Sequence, residues 1–228
     1  MLRIFIGYDS KESVAYHVLA HSILSRSSIP VAIAPVMRSQ LKGLYTRQRG
    51  PTESTDFSLT RFLVPALSDF RGWSLYMDCD MLCRADIAGL VSLTDGAAHC
   101  AVLVCKHDYA PNPARKFLNQ VQTVYPRKNW SSLVLFNNQR CAALSPSYVN
   151  SASAADLHRF TWIEDALIGE LPLEWNWLVG EYRHNPDAKN VHFTRGGPYF
   201  EEYRACDYSE EWRAELLGMT HAASAVAV

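Results

Sequence analysis

The chain opens on an apolar run, Leu2-Arg3-Ile4-Phe5-Ile6-Gly7, followed by the polar Tyr8-Asp9-Ser10. A short apolar run punctuated by glycine predicts a buried strand entering a turn. Val14, Val18, Ile23 and Leu24 then keep a helical spacing, with Asp9 or Ser10 placed to cap the first turn and Ser27-Ser28-Ile29-Pro30 to stop it. Val31 to Val36 reads as a second strand. Strand, helix and strand in this order form a βαβ unit, which implies a parallel sheet with a right-handed crossover and a Rossmann-like start.

From Met37 to Phe57 the pattern turns polar, a length that in a compact domain predicts a functional, mobile substrate loop. Ser58 to Phe70 is apolar at helical spacing around Arg61, and Pro65 kinks or restarts that helix. Trp73 to Met77 is the next strand, and Asp78-Cys79-Asp80 follows at once. Further buried strands are predicted at His99–Cys105 and Ser131–Phe136, on either side of the charged, Pro-containing stretch from Lys106 to Lys128. Leu171–Trp177 and Val191–Phe193 are short apolar-aromatic segments, and the small-residue tail at 221–228 is expected to fray.

Composition narrows the function. The 228 residues are 48% hydrophobic and 20% charged, enough to bury a core without a metal or disulfide staple. With 22 Lys+Arg against 23 Asp+Glu and no dense basic run, nucleic acid is not the expected partner. No apolar run approaches the length of a transmembrane helix, and the N-terminal apolar run is too short for a signal peptide, so the expected location is cytoplasmic. The six cysteines sit mostly in apolar stretches and read as buried hydrophobes; Cys79 and Cys83 lack the spacing of a zinc site. His17 and His21 lie four apart on the first predicted helix with no evident carboxylate partner, and read as a solvated face.

The chemistry concentrates at Asp78-Cys79-Asp80. In extended structure Asp78 and Asp80 point to one side and Cys79 to the other. The two carboxylates then share a ledge at the C-terminal end of a buried strand, where open α/β sheets bind ligands. Like charges that close call for a cation, and oxygen ligands suit Mg²⁺ or Mn²⁺. Arg61, in an apolar segment, requires a carboxylate or phosphate partner, Asp78 or Asp80 among them.

Phe57-Ser58-Leu59-Thr60-Arg61-Phe62 followed by Ser74-Leu75-Tyr76-Met77-Asp78-Cys79-Asp80 resembles the core of GT-A glycosyltransferases. The likeness is to the retaining group that includes glycogenin and the bacterial lipooligosaccharide galactosyltransferases (family 8-like). It extends through Ile4–Asp9, Ser132–Asn137, Leu171-Pro172 with Trp175-Asn176, and His192-Phe193-Thr194 with Gly196-Gly197-Pro198. The resemblance implies a single GT-A α/β domain over 1–220 with a mixed, mainly parallel central sheet, divided into a nucleotide-sugar-binding half (1–105) and an acceptor-side half (106–220). It implies a nucleotide-sugar donor, most often a UDP-sugar, a Mn²⁺ or Mg²⁺ ion held by Asp78, Asp80 and His192, and an acceptor that the chain does not name. Gly7, Tyr8, Asp9, Arg61, Cys79, Arg195 and Gly196 are the donor-binding residues so implied, with Arg195 standing in for a family lysine whose place Pro198 takes. Arg61, Glu164 and Asp165 are the implied catalytic residues. Two other readings of the same residues are a haloacid-dehalogenase-like phosphohydrolase, whose nucleophile strand also ends in D-x-D, and a noncatalytic nucleotide-sugar-binding module.

Overall fold

A computed structural model describes residues 1–50, 53–108 and 126–220. The chain runs through β1 (Leu2–Tyr8), α1 (Ser13–Arg26), β2 (Val31–Met37), α2 (Val64–Leu67), β3 (Trp73–Met77), β4 (Met81–Cys83), α3 (Ala88–Val91) and β5 (Val102–Cys105). It continues through β6 (Leu133–Asn137), α4 (Pro146–Ser151), α5 (Ala154–His158), β7 (Ile168–Leu171), β8 (Trp177–Leu178), β9 (Asn190–His192) and α6 (Ser209–Thr220).

Six strands form one mixed sheet in the order β2-β1-β3-β6-β5-β7. β1 pairs parallel with both β2 and β3, and β5 pairs parallel with β7; β6 runs antiparallel to its neighbours β3 and β5. β3, β5 and β6 are buried almost throughout, so their side chains make the centre of the core. Their Leu, Val and Phe residues each contribute on the order of 1.5–3 kcal/mol when fully removed from water. The C-terminal ends of β1, β2, β3, β5 and β7 meet the N-terminal end of β6 at one edge. The chain steps outward from β1 to β2 and then returns to the other side of β1 with β3, so the switch point lies between the ends of β1 and β3.

Local sequence explains the elements that frame this edge. Asp9 accepts a hydrogen bond from the Lys11 backbone N–H at 3.0 Å, and the 3₁₀ turn Ser10–Glu12 then leads into α1. Pro65, in the first turn of α2, restarts the helix after the 3₁₀ turn Thr60–Leu63, because proline lacks the N–H that only a helix interior needs. The polar stretch after β2 is anchored where it is described: Leu41 and Tyr45 are buried, Thr46 donates to Asn150 at 2.8 Å, and Arg47 donates to the carbonyls of Val149 and Ala152. Pro51, most of the stretch from Lys106 to Lys128, and the tail at 221–228 lie outside the described residues.

A second, small sheet has the order β4-β9-β8. It covers a separate apolar cluster, including Val18, Leu82, Val191, Phe193, Tyr208 and Trp212, beneath α1 and α6. Where an extended Asp78-Cys79-Asp80 was expected, the chain bends between β3 and β4. That bend feeds the short strand β4 into the second sheet, and the second sheet brings β9 alongside. All six cysteines are free, and five of them, Cys79 included, are buried. His21 is not solvated alone: its Nδ1 lies 2.5 Å from Glu215 on α6, a partner the local sequence could not reveal. Among the described residues no helix is long and apolar enough to cross a membrane.

Candidate metal and donor site

Asp78 follows the last residue of β3, and its backbone N–H donates to the Ser132 carbonyl at 2.8 Å, extending the β3–β6 pairing by one step. Its carboxylate is held on both sides. Tyr76 donates its hydroxyl to Asp78 Oδ1 at 2.7 Å, and Arg61 Nη1 lies 3.0 Å from the same oxygen. Arg61 is itself buried, donates to the Ser131 carbonyl at 2.9 Å, and lies over the rings of Tyr76 and Phe57. Burial pushes the Asp78 carboxyl above its usual range, against the pull of Arg61, and the charge of Asp80 pushes the same way as burial.

The small sheet delivers the third group. Register pairs Met81 with His192, and Phe193 N–H donates to the Asp80 carbonyl at 2.8 Å, which sets the His192 ring beside Asp80. His192 Nε2 and Asp80 Oδ1 are 3.3 Å apart. Asn176 fixes the tautomer. It donates through Nδ2 to Ser132 Oγ at 2.9 Å and to the Asn129 carbonyl at 3.3 Å, which orients its own carbonyl oxygen to His192 Nδ1 at 3.0 Å. An amide oxygen only accepts, so Nδ1 donates to Asn176 and Nε2 is the nitrogen that faces Asp80. A histidine locked in this way by its other nitrogen is the usual arrangement of a metal ligand.

One ligand atom from each of Asp78, Asp80 and His192 lies within 4.8 Å of the other two. Two carboxylates and an imidazole oriented by Asn176, with Asp78 and His192 buried and Asp80 half-buried, fit a divalent cation.

The remaining expected residues fall into two groups. Gly7, Tyr8 and Asp9 form the end of β1 and its turn at the switch point. A Cβ on Gly7 would stand 2.5 Å from Phe57 Cγ and 2.7 Å from the Tyr76 hydroxyl, so glycine is what lets Tyr76 reach Asp78. Tyr8 packs edge-on against Tyr16 with ring centroids 5.5 Å apart. Asp9 is buried and gives both carboxylate oxygens to backbone amides, Lys11 and Asp56. Gly196 adopts φ 137°, a conformation that suits glycine, against the ring of Tyr203. Arg195 sits beside it and donates through Nε to Glu181 at 3.2 Å. Glu164 and Asp165 are both exposed, Asp165 with 78% of its side chain in solvent, and Asp165 pairs with Arg127 at 2.6 Å.

Several residues that shape the site carried no individual signal. Asn176 follows Trp175 in the family-like segment, yet its bond to His192 appears only once β8 and β9 pair. Tyr76 reads as an ordinary strand aromatic. Glu12 reads as a first-turn acid, but it is 5% exposed and accepts a hydrogen bond from Tyr199 at 2.6 Å. Burial first, and then the charge of Asp80, raise its pKa to about 8. His107, at the end of β5, bonds through Nδ1 with the Tyr182 hydroxyl at 2.9 Å, and burial lowers its pKa to about 3.

No protein-family model matches the chain. Protein CDI of Arabidopsis thaliana is 48% identical over 223 residues, which cover 94% of this chain and 85% of that protein. The chain belongs to the Protein CDI family. Solved structures add the fold of this family member. The bifunctional glycosyltransferase WbbM superposes with a TM-score of 0.64 at 13% identity over 95% of this chain, which spans about half (50%) of WbbM. The galactosyltransferase LgtC, in complex with donor and acceptor sugar analogues, gives 0.58 at 11% identity over 98% of both chains. The glycosyltransferase GlyE of Streptococcus pneumoniae TIGR4 gives 0.61 at 12% identity over 95% of this chain and 61% of its own. The Protein CDI family member therefore has the single mixed-sheet α/β domain of these glycosyltransferases.

Proposed function

We propose that the protein is a metal-dependent GT-A glycosyltransferase that takes a sugar from a nucleoside-diphosphate sugar, a UDP-sugar first, and transfers it to an acceptor with retention of anomeric configuration. The observation that carries this reading is the Asp78–Asp80–His192 set at the switch point of a sheet shared with glycosyltransferases. Mn²⁺ or Mg²⁺ bound there would offset the charge that develops on a departing diphosphate, which is leaving-group stabilisation by electrostatics.

The chain's own residues divide the remaining work. Asp78, braced by Tyr76 and Arg61, and His192, braced by Asn176, hold their ligand atoms with little freedom to move, so the site is organised before donor arrives. The turn Gly7-Tyr8-Asp9 and the Cys79 backbone line the donor's nucleoside side. Arg195 and Gly196 approach the diphosphate from the segment after β9, with Arg195 exchanging its Glu181 contact for phosphate. Glu164 and Asp165 would serve the transferred sugar only if the exposed segment before β7 closes over it.

Slow release of UDP from UDP-sugars, assayed with Mn²⁺ and with EDTA, tests this. Release that needs metal and falls at least about 100-fold in Asp80→Asn supports the enzyme. Metal-dependent donor binding with no release for any UDP-sugar would leave only a binding module. An inverted anomeric centre in the product, read by NMR, would remove the retaining assignment.

A further inference from the structure

Asp78 and His192 reach the site from different sheets, yet one buried serine touches the support of each. Ser132 ends the 3₁₀ turn Trp130–Ser132, just before β6. Its carbonyl accepts the Asp78 backbone N–H at 2.8 Å. Its hydroxyl donates to the Asn129 carbonyl at 2.7 Å and accepts from Asn176 Nδ2 at 2.9 Å. Asn176, fully buried, then meets His192 Nδ1 through its own Oδ1 at 3.0 Å.

The hydroxyl decides which way the Asn176 amide points. A serine hydroxyl has one proton, and that of Ser132 is spent on Asn129, so toward Asn176 it only accepts. The amide therefore turns its NH₂ to Ser132 and its oxygen to His192, and the longer 3.3 Å bond from the same NH₂ to the Asn129 carbonyl agrees with that sense. Asn129 presents this carbonyl from a left-handed conformation, φ 63°, which costs a non-glycine residue free energy and persists where the surrounding bonds hold it. Without the Ser132 hydroxyl only the 3.3 Å bond remains to orient the amide. A half-turn of the amide would then set its NH₂ against the His192 nitrogen, where it cannot accept the ring's proton.

We infer that Ser132 is a positioning residue of the metal site: acting through Asn176, its hydroxyl sets the direction of the His192 ring, while its carbonyl ties the same support to the backbone of Asp78. This rests on the metal-site reading above. Its test is Mn²⁺ binding to the full chain without nucleotide, by titration calorimetry and by the EPR signal of free Mn²⁺, in wild type, Ser132→Ala, Asn176→Ala and the double variant. Ser132→Ala is expected to bind Mn²⁺ about 10-fold more weakly than wild type, the usual scale for groups just outside a metal's ligands. Because the hydroxyl acts through Asn176, the double variant should bind no more weakly than Asn176→Ala alone, which a merely structural role would not produce. Ser74→Ala removes another buried hydroxyl, one that donates to Asn138 at 2.9 Å near the opposite end of β3, and is expected to keep wild-type affinity. Ser132→Cys keeps the volume but bonds weakly, and replaces Ser132→Ala should that variant not fold; the comparison with Ser74→Ala decides alone if Asn176→Ala does not fold. Wild-type affinity in the Ser132 variant, an equal loss in Ser74→Ala, or a double variant weaker than Asn176→Ala by the full Ser132 factor would each overturn the proposal. Failure of wild type to bind Mn²⁺ would instead overturn the metal site itself, and this role with it.

Discussion

His107 shows how a single side chain links burial to behaviour in solution. It is enclosed at the end of β5 between Tyr182, whose hydroxyl it meets, and Trp130, whose indole N–H donates to its carbonyl at 3.2 Å. Its folded pKa of about 3 lies below the ordinary 6.5. Between those values the unfolded chain binds a proton that the folded chain does not. Stability is therefore present above about pH 6.5 and is lost as pH falls toward 3, with a slope of order 1 kcal/mol per pH unit. Urea midpoints measured from pH 7 to pH 4 should fall, and should fall less steeply in His107→Gln; equal slopes would mean that His107 titrates normally. Residue identities of this kind were only partly legible in the sequence. Arg61 announced itself because a charged residue inside an apolar run needs a partner, and Asp78 and Asp80 because two acids close an apolar strand. Glu12, Asn176 and His107 did not, because what makes each unusual is burial against a distant segment.

Among elements, β1, β2 and β3 follow directly from apolar runs bounded by turns, and Trp73–Met77 is both the expected and the observed strand. The second sheet escaped such reading. β4 and β9 have three residues each and β8 has two, too short to display an alternating period, and they exist because Met81 pairs with His192 and Trp177 with Val191. The helix α6 escaped because its apolar face is sparse. It docks through Glu215, which accepts from Arg26 at 2.7 Å and contacts His21 at 2.5 Å, both on α1. Those contacts lower the Glu215 pKa despite burial. Glu215→Ala should cost about 1–2 kcal/mol in chemical denaturation and speed amide exchange in α6 more than in β3. Unchanged exchange in α6 would show that Trp212 and its apolar neighbours dock the helix alone.

For the molecule as a whole, a formal net charge of −1 conceals a strong local imbalance. Asp78 and Asp80 stand where β3 ends, Arg61 answers Asp78, and a divalent cation held by Asp78, Asp80 and His192 would offset the rest. The same sheet runs from β2 through β7 across both halves expected from the sequence. The central claim is that this edge binds a nucleoside diphosphate through a metal. Titration calorimetry of UDP into the protein with Mn²⁺, and again with EDTA, tests it most directly. The account predicts binding with Mn²⁺ that weakens at least about 10-fold in EDTA and in Asp80→Asn. Equal affinity with and without metal, or no binding of any nucleoside diphosphate in the presence of Mn²⁺ or Mg²⁺, would contradict it.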